Sequence, residues 1–380
     1  MNLVLDEEQS LLQQTARQFV SESSSLRRIR ALRDGRDPLG YSPDLWRQMG
    51  RLGWLGIPFP LECGGAGLGS TELMVVLEEL GRGLMPEPVV SSVLLGGMAV
   101  LLAGSAAQRQ AFLAPMIAGE LRLALAYEEP RSRYNLTHVE TRATPNGTGW
   151  RLQGEKVHVL DGFGAERIVV SARVNGAAAE PAGIGLFVVD TQAPGVALER
   201  EWRIDSRNAA AVRLNAVPVG ADAVLGAPDA GADVLQATVT RATIGLSAEM
   251  LGSMTAALEL TLDYLKTRKQ FGVSIGSFQA LKHRAATMYI ETELARSAVL
   301  AAHKAADEGS ADLPRLASLA KARCSDAFVL IANEMIQMHG GIGMTDEHDA
   351  GFFLKRARVA AVTFGDAAHH RNRYAELQGY

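Results

Sequence analysis

Arg268-Lys269-Gln270-Phe271-Gly272 closes a helical pattern that begins near Val234. Upstream of it, Leu246, Met250, Met254, Leu258, Leu262 and Leu265 recur at steps of three or four residues, the spacing of one apolar stripe on a helix. Gly272 and the following Val-Ser-Ile-Gly break the pattern and leave Arg268 and Lys269 at the C-terminal end of the helix. Cations at that end complement the helix dipole. The same pair suits a phosphate, because the arginine fork meets two oxygens at once. The rest of the chain decides between the two readings.

The 380 residues are too many for one small core, and the length suggests about two to three domains. A composition of 47% hydrophobic and 21% charged residues is that of a globular protein. Lysine and arginine total 38 against 42 aspartates and glutamates, a formal charge of −4, so the basic surplus of a nucleic-acid binder is absent. Cys63 and Cys324 lie far apart, which implies free thiols and neither a disulfide framework nor a metal site. No basic segment followed by an apolar run opens the chain, and no apolar stretch approaches transmembrane length. The expectation is a cytoplasmic protein with no membrane span.

Residues 1–120 read as helical. Asp6 is placed to cap a first helix, with Gln9 reaching back and Leu11, Leu12, Ala16, Phe19 and Val20 as its apolar face. A second helix covers Pro43–Leu52. A third covers Thr71–Leu84, with Glu72, Glu78 and Glu79 read as its solvent side, and two more fit Ser91–Ala103 and Ala106–Ala118. The glycines from Gly64 to Gly69 lack the Lys-Ser/Thr and the preceding strand of a phosphate loop. From Leu121 the character changes to short β-prone runs at 123–127, 149–152, 157–160, 168–172, 185–190 and 212–217, broken by Asn146-Gly147, Gly176, Pro181 and Pro194-Gly195. With no helix between them, these runs favour an antiparallel sandwich or barrel. Helices resume from Ala232 through Lys266, over Phe278–Glu308 and over Leu313–His339, with a last one near Gly351–Val359. The result is an α+β chain with an N-terminal helical domain (1–120), a middle β-domain (121–230) and a C-terminal helical bundle (231–380).

This layout, with Arg-Lys-Gln-Phe-Gly near 270, Gln337-Met-His-Gly-Gly341, Gly154-Glu-Lys156 and Ile57-Pro-Phe-Pro60, resembles the acyl-CoA dehydrogenase family along the whole chain. The resemblance implies a middle β-barrel or sandwich, a C-terminal four-helix bundle, FAD as cofactor, an acyl-CoA thioester as substrate and electron-transfer flavoprotein as acceptor. It places Arg268, Gln270, Phe271, Ile275, Gln337, Gly340 and Gly341 where one subunit reaches the pyrophosphate and adenosine of its neighbour's FAD. Arginine suits the pyrophosphate, and the glycines allow close backbone approach.

Other family positions are altered. Glycine (Gly365) stands where the family carries its glutamate base, in Phe364-Gly-Asp-Ala367, and Thr240 occupies the alternative base position. Asp366, one residue on, is either a displaced base or a cap for the helix starting at Ala367. At the ring-binding positions, Glu128 replaces a hydroxyl residue, His158 a tryptophan and Leu160 a threonine, and Ser132-Arg-Tyr-Asn135 replaces a Gly-Ser-Asp. Ser132–Leu136, Tyr264–Gly272, His339–Met344 and Phe364–His370 are similar to the small subunit of the pimeloyl-CoA dehydrogenase type and to heteromeric steroid-side-chain dehydrogenases. The resemblance therefore implies a subunit of an α2β2 enzyme of fatty acid or steroid degradation, paired with a homologous large subunit that carries the base. A homomeric enzyme using Asp366 and a non-catalytic scaffold are the alternatives. His369 and His370 have no partners at metal-ligand spacing, so a structural or partner-facing role is expected of them.

Overall fold

The computed structural model describes residues 5–23 and 26–380. Asp6 caps helix α1 (Glu7–Ser23) in the expected reciprocal arrangement. The Gln9 N–H donates to Asp6 Oδ1 (2.8 Å) and the Asp6 N–H to Gln9 Oε1 (3.2 Å). Ala16, Phe19 and Val20 are buried as read, whereas Leu11 is exposed. Helix α2 (Leu26–Asp34) escaped the sequence reading because its arginines leave Ile29 as its only buried residue.

Helices α3 (Pro43–Arg51) and α4 (Ser70–Arg82) follow. A π-helical stretch, Val89–Gly97, precedes α5 (Met98–Ala103), where one regular helix was expected. Gly96 lies against Leu123, whose Cβ would be 2.4 Å from any Cβ added to the glycine. Helix α6 (Ala106–Ile117) completes this helical part.

Eight strands form one sheet: β1 (Leu123–Ala126), β2 (Arg142–Asn146), β3 (Gly149–Leu160), β4 (Arg167–Arg173), β5 (Ile184–Asp190), β6 (Val196–Trp202), β7 (Asn208–Val219) and β8 (Val224–Leu225). The order is β6-β7-β3-β2-β4-β5-β8, with β1 added parallel to β4. β3 is one long strand where the sequence suggested two. Its register slips at Leu152/Gly154 and again at Lys156/Val159, so the alternation that marks a strand is interrupted twice. Lys156 is fully buried between Glu129 Oε1 (2.7 Å) and Ser171 Oγ (2.9 Å). Glu129 also accepts the N–H groups of Glu140 and Thr141, which fixes the chain just beyond β1.

The remaining elements are α7 (Gly231–Thr267), β9 (Lys269–Gln270), β10 (Val273–Ser274), α8 (Gln279–Asp307), α9 (Leu313–His339), α10 (Ala350–Val362) and α11 (Ala367–Leu377). Two compact units result. One gathers the chain up to Ala31 with Ser70–Met85 and Thr243–Tyr380, and the other comprises Leu32–Gly69 and Pro86–Ala242. In the first unit α4 and α7 touch backbone to backbone, because a Cβ on Gly252 would sit 1.7 Å from the Glu78 carbonyl oxygen and one on Gly81 2.0 Å from that of Glu249. Glu78 and Glu79, read as solvent-facing, are buried. Arg17 grips Glu79 with two donors (3.1 and 2.7 Å) and Arg296 reaches Glu78 at 2.6 Å. These partners lie on other helices, beyond the reach of a local pattern. No helix among the described residues is long and apolar enough to cross a membrane.

Candidate functional site

Helix α7 stops at Thr267, so Arg268 and Lys269 lie just past the helix and not in its last turn. β9 and β10 pair antiparallel, Val273 with Gln270 and Ser274 with Lys269. The two residues between them, Phe271 (φ 55°) and Gly272 (φ 80°), are both left-handed. That is the two-residue turn whose twist matches a tight hairpin. Glycine adopts it freely. Phenylalanine does so at a cost of about 1–2 kcal/mol, and its ring is 90% exposed at the tip. The Ile275 N–H donates to the Arg268 carbonyl (2.9 Å) and closes the hairpin base. Arg268, Lys269 and Gln270 are exposed, and their side chains engage no partner among the described residues.

Helix α9 ends at His339, and Gly340 leaves it with φ 64° and ψ −142°. A Cβ on Gly340 or Gly341 would meet nothing within 4 Å, so the space before this turn is open. Gln337 is exposed on the last helical turn. Tyr264, four residues before Arg268, stacks on His339 (centroids 4.3 Å apart) and donates its hydroxyl to the His339 carbonyl (3.3 Å). His339 in turn lies 4.4 Å from the His348 ring. The two motifs, seventy positions apart, are thereby joined at the neighbouring ends of α7 and α9. An unpaired guanidinium, a free amide and an open glycine turn fit the oxygen-rich phosphates of a dinucleotide.

At two of the positions where the resemblance places a flavin ring, Glu128 and His158, and at Asp161 just past β3, the side chains are tied to neighbours. The Tyr127 hydroxyl donates to Glu128 Oε1 at 3.0 Å, and burial raises the Glu128 carboxyl above the usual range. His158 is left-handed (φ 53°), with its Nδ1 2.9 Å from Glu201 Oε2 and its N–H donating to Glu201 Oε1 (3.2 Å). Asp161 (φ 51°) accepts the Ser91 hydroxyl; burial pushes its carboxyl up to about 6 against the pull of Arg207, Arg203 and Arg200. Side chains already spent on neighbours offer few free donors to the oxygens and nitrogens of a flavin ring, and stripping water from a carboxyl is costly.

Neither base position, Gly365 or Thr240, carries an acid. The Thr240 hydroxyl donates to the Gln236 carbonyl within α7 (2.8 Å). Asp366 is the N-cap of α11, its Oδ1 accepting the His369 N–H at 2.8 Å. His370 Nε2 lies 3.1 Å from the Phe364 carbonyl, a structural bond. No cluster of histidine, cysteine or acidic side chains among the described residues is arranged to hold a metal. Lys321 was not singled out in the sequence. It is fully buried on α9 and donates to Ser325 Oγ (3.0 Å), Ala361 O (3.1 Å) and Gly365 O (2.8 Å). A signal existed: a lysine amid the buried run Ala317, Ala320, Cys324 and Phe328.

Residues 6–120, 124–217 and 229–378 match, in that order, the N-terminal, middle and C-terminal domains of acyl-CoA dehydrogenases. The acyl-CoA dehydrogenase FadE12 of Mycobacterium tuberculosis is 32% identical over 335 residues, covering 85% of this chain and 84% of that protein. Among solved structures, the Tcur3481-Tcur3483 steroid ACAD aligns with TM-score 0.87 and 33% identity, covering 98% of both chains. The ChsE4-ChsE5 complex from Mycobacterium tuberculosis aligns with TM-score 0.90 and 25% identity, covering 100% of this chain and 99% of the other.

Proposed function

This chain belongs to the acyl-CoA dehydrogenase family of FAD-dependent oxidoreductases, and from that premise we propose that it is one subunit of a heteromeric enzyme. In this reading it supplies the adenosine and pyrophosphate half of an FAD site. A homologous large subunit holds the ring and the glutamate base in a cytoplasmic α2β2 assembly that passes electrons to electron-transfer flavoprotein. One contrast carries the reading. Arg268 and Gln337 present unengaged polar groups around an open glycine turn, while Glu128 and His158 are spent on Tyr127 and Glu201. Similarity to two heteromeric assemblies, the steroid ACAD and the ChsE4-ChsE5 complex, supports it.

The reaction removes the α-proton of an acyl-CoA thioester as a proton and the β-hydrogen as a hydride. FAD, when bound, supplies the acceptor for that hydride. This chain's part is binding. Arg268 offers paired donors to phosphate oxygens, Gln337 adds an amide, and Gly340 and Gly341 let the backbone approach them, with Gln270, Phe271 and Ile275 shaping the hairpin. The use of Asp366 as a base has less support, because its carboxylate caps a helix.

The test is turnover with fatty-acyl and steroid-side-chain thioesters, for the chain alone and co-expressed with a homologue that carries the glutamate. Activity is expected only in the co-expressed pair. Equal turnover by the chain alone contradicts the proposal.

A further inference from the structure

Resting on the reading of Gly365 as the position of the family's base, we propose that Lys321, His369 and His370 seal that position, so that this chain's own catalytic half-site is closed as well as lacking its carboxylate. Phe364 (φ 63°) and Gly365 (φ 116°) are successive left-handed residues, and the second conformation is one that a side chain strongly disfavours. The carbonyls of both residues are pinned. Phe364 O takes the His370 Nε2–H (3.1 Å), and Gly365 O takes a proton of the Lys321 ammonium (2.8 Å). Lys321 also reaches Ser325 Oγ and Ala361 O, so its amino group is satisfied without solvent while burial lowers it to about 7.

The space beside Gly365 is filled as well. A Cβ there would lie 2.5 Å from His369 Cδ2 and 2.9 Å from His370 Nε2. His370 cannot swing aside, because it is buried and its Nδ1 faces Ser318 Oγ at 3.3 Å. His369 stacks edge-on to it and lies in the first turn of the helix that Asp366 caps. Admitting a side chain at 365 would mean displacing both imidazole rings, and moving His370 breaks its bond to the Phe364 carbonyl. Lys321 is thus the positioning residue of the closure. A carboxylate restored at 365 alone would have no room to reach a substrate.

The test must not add a side chain at 365, because a Cβ there displaces the His369 and His370 rings. Gly365 is therefore left in place, and the His370 ring of the unmodified chain is followed by NMR. Burial holds it down at about 3, so it should stay neutral at mildly acidic pH, and protonation near an ordinary histidine value overturns the closure. This readout is separate from flavin content, which tests the subunit reading.

Discussion

Phe271 states the tension at the scale of a single residue. It occupies a left-handed turn position and projects its ring into solvent, two unfavourable choices for one side chain. Strain of this kind accumulates where a surface is kept for binding. Asparagine before glycine is the preferred pair for such a turn. Phe271→Asn should therefore raise the stability of the isolated chain by about 0.5–1 kcal/mol, within the cost of a left-handed bulky residue, as read by urea denaturation. The same variant should weaken assembly with the partner; a loss of stability would show that the ring contributes within the chain. Arg268→Ala should leave stability unchanged and loosen FAD in the assembled enzyme by roughly tenfold to a hundredfold, the range for a charge-assisted hydrogen bond, measured by flavin retention on dilution. Its motif was legible in the sequence because neighbouring residues spell it out. The conformation of Gly365 was not, since it depends on a lysine 44 positions away.

At the scale of elements, α7 and α10 are joined by Arg356 and Glu249, both buried, with Arg356 Nε and Nη2 at 3.0 and 2.8 Å from Glu249 Oε1. Arg356→Met removes one partner and leaves a carboxylate in the core, so it should cost about 3–5 kcal/mol. Combining it with Glu249→Leu should recover much of that loss, because the desolvation penalty disappears with the pair. A double variant as unstable as the single would mean that shape, not charge, governs this contact. The long helices α7 and α9 were legible from their periodicity, and Gly252 within α7 was visible as a residue of weak helix propensity. What Gly252 permits, the touch of α4, was not visible, nor were the arginines that pair with Glu78 and Glu79. Local pattern reports which face is apolar, and it is blind to charges buried against a distant partner. β3 failed for a related reason: its two register slips break the alternation that would have marked it as one strand.

At the scale of the whole molecule, two buried histidines set the response to acid. Burial lowers His303 to about 4 and His370 to about 3. Unfolding exposes both to water, where histidine protonates near pH 6.5, so the unfolded chain binds more protons between that value and the folded ones. Their contribution is intact above about pH 6.5 and is lost as pH falls, at about 1.4 kcal/mol per unit for each histidine. Asp161, held up at about 6, acts in the opposite sense below that pH and offsets one of them, so urea midpoints should fall moderately on acidification; a rise would mean that the rings are not held neutral. The order of helical, β and helical segments was legible along the whole chain, because periodicity and turn residues report it directly. The division of labour at the flavin site is the larger claim, and counting flavin per chain is its most direct measurement. The chain purified alone should carry almost none, and its co-expressed assembly should carry one FAD for each pair of unlike chains. Stoichiometric flavin in the isolated chain would contradict it.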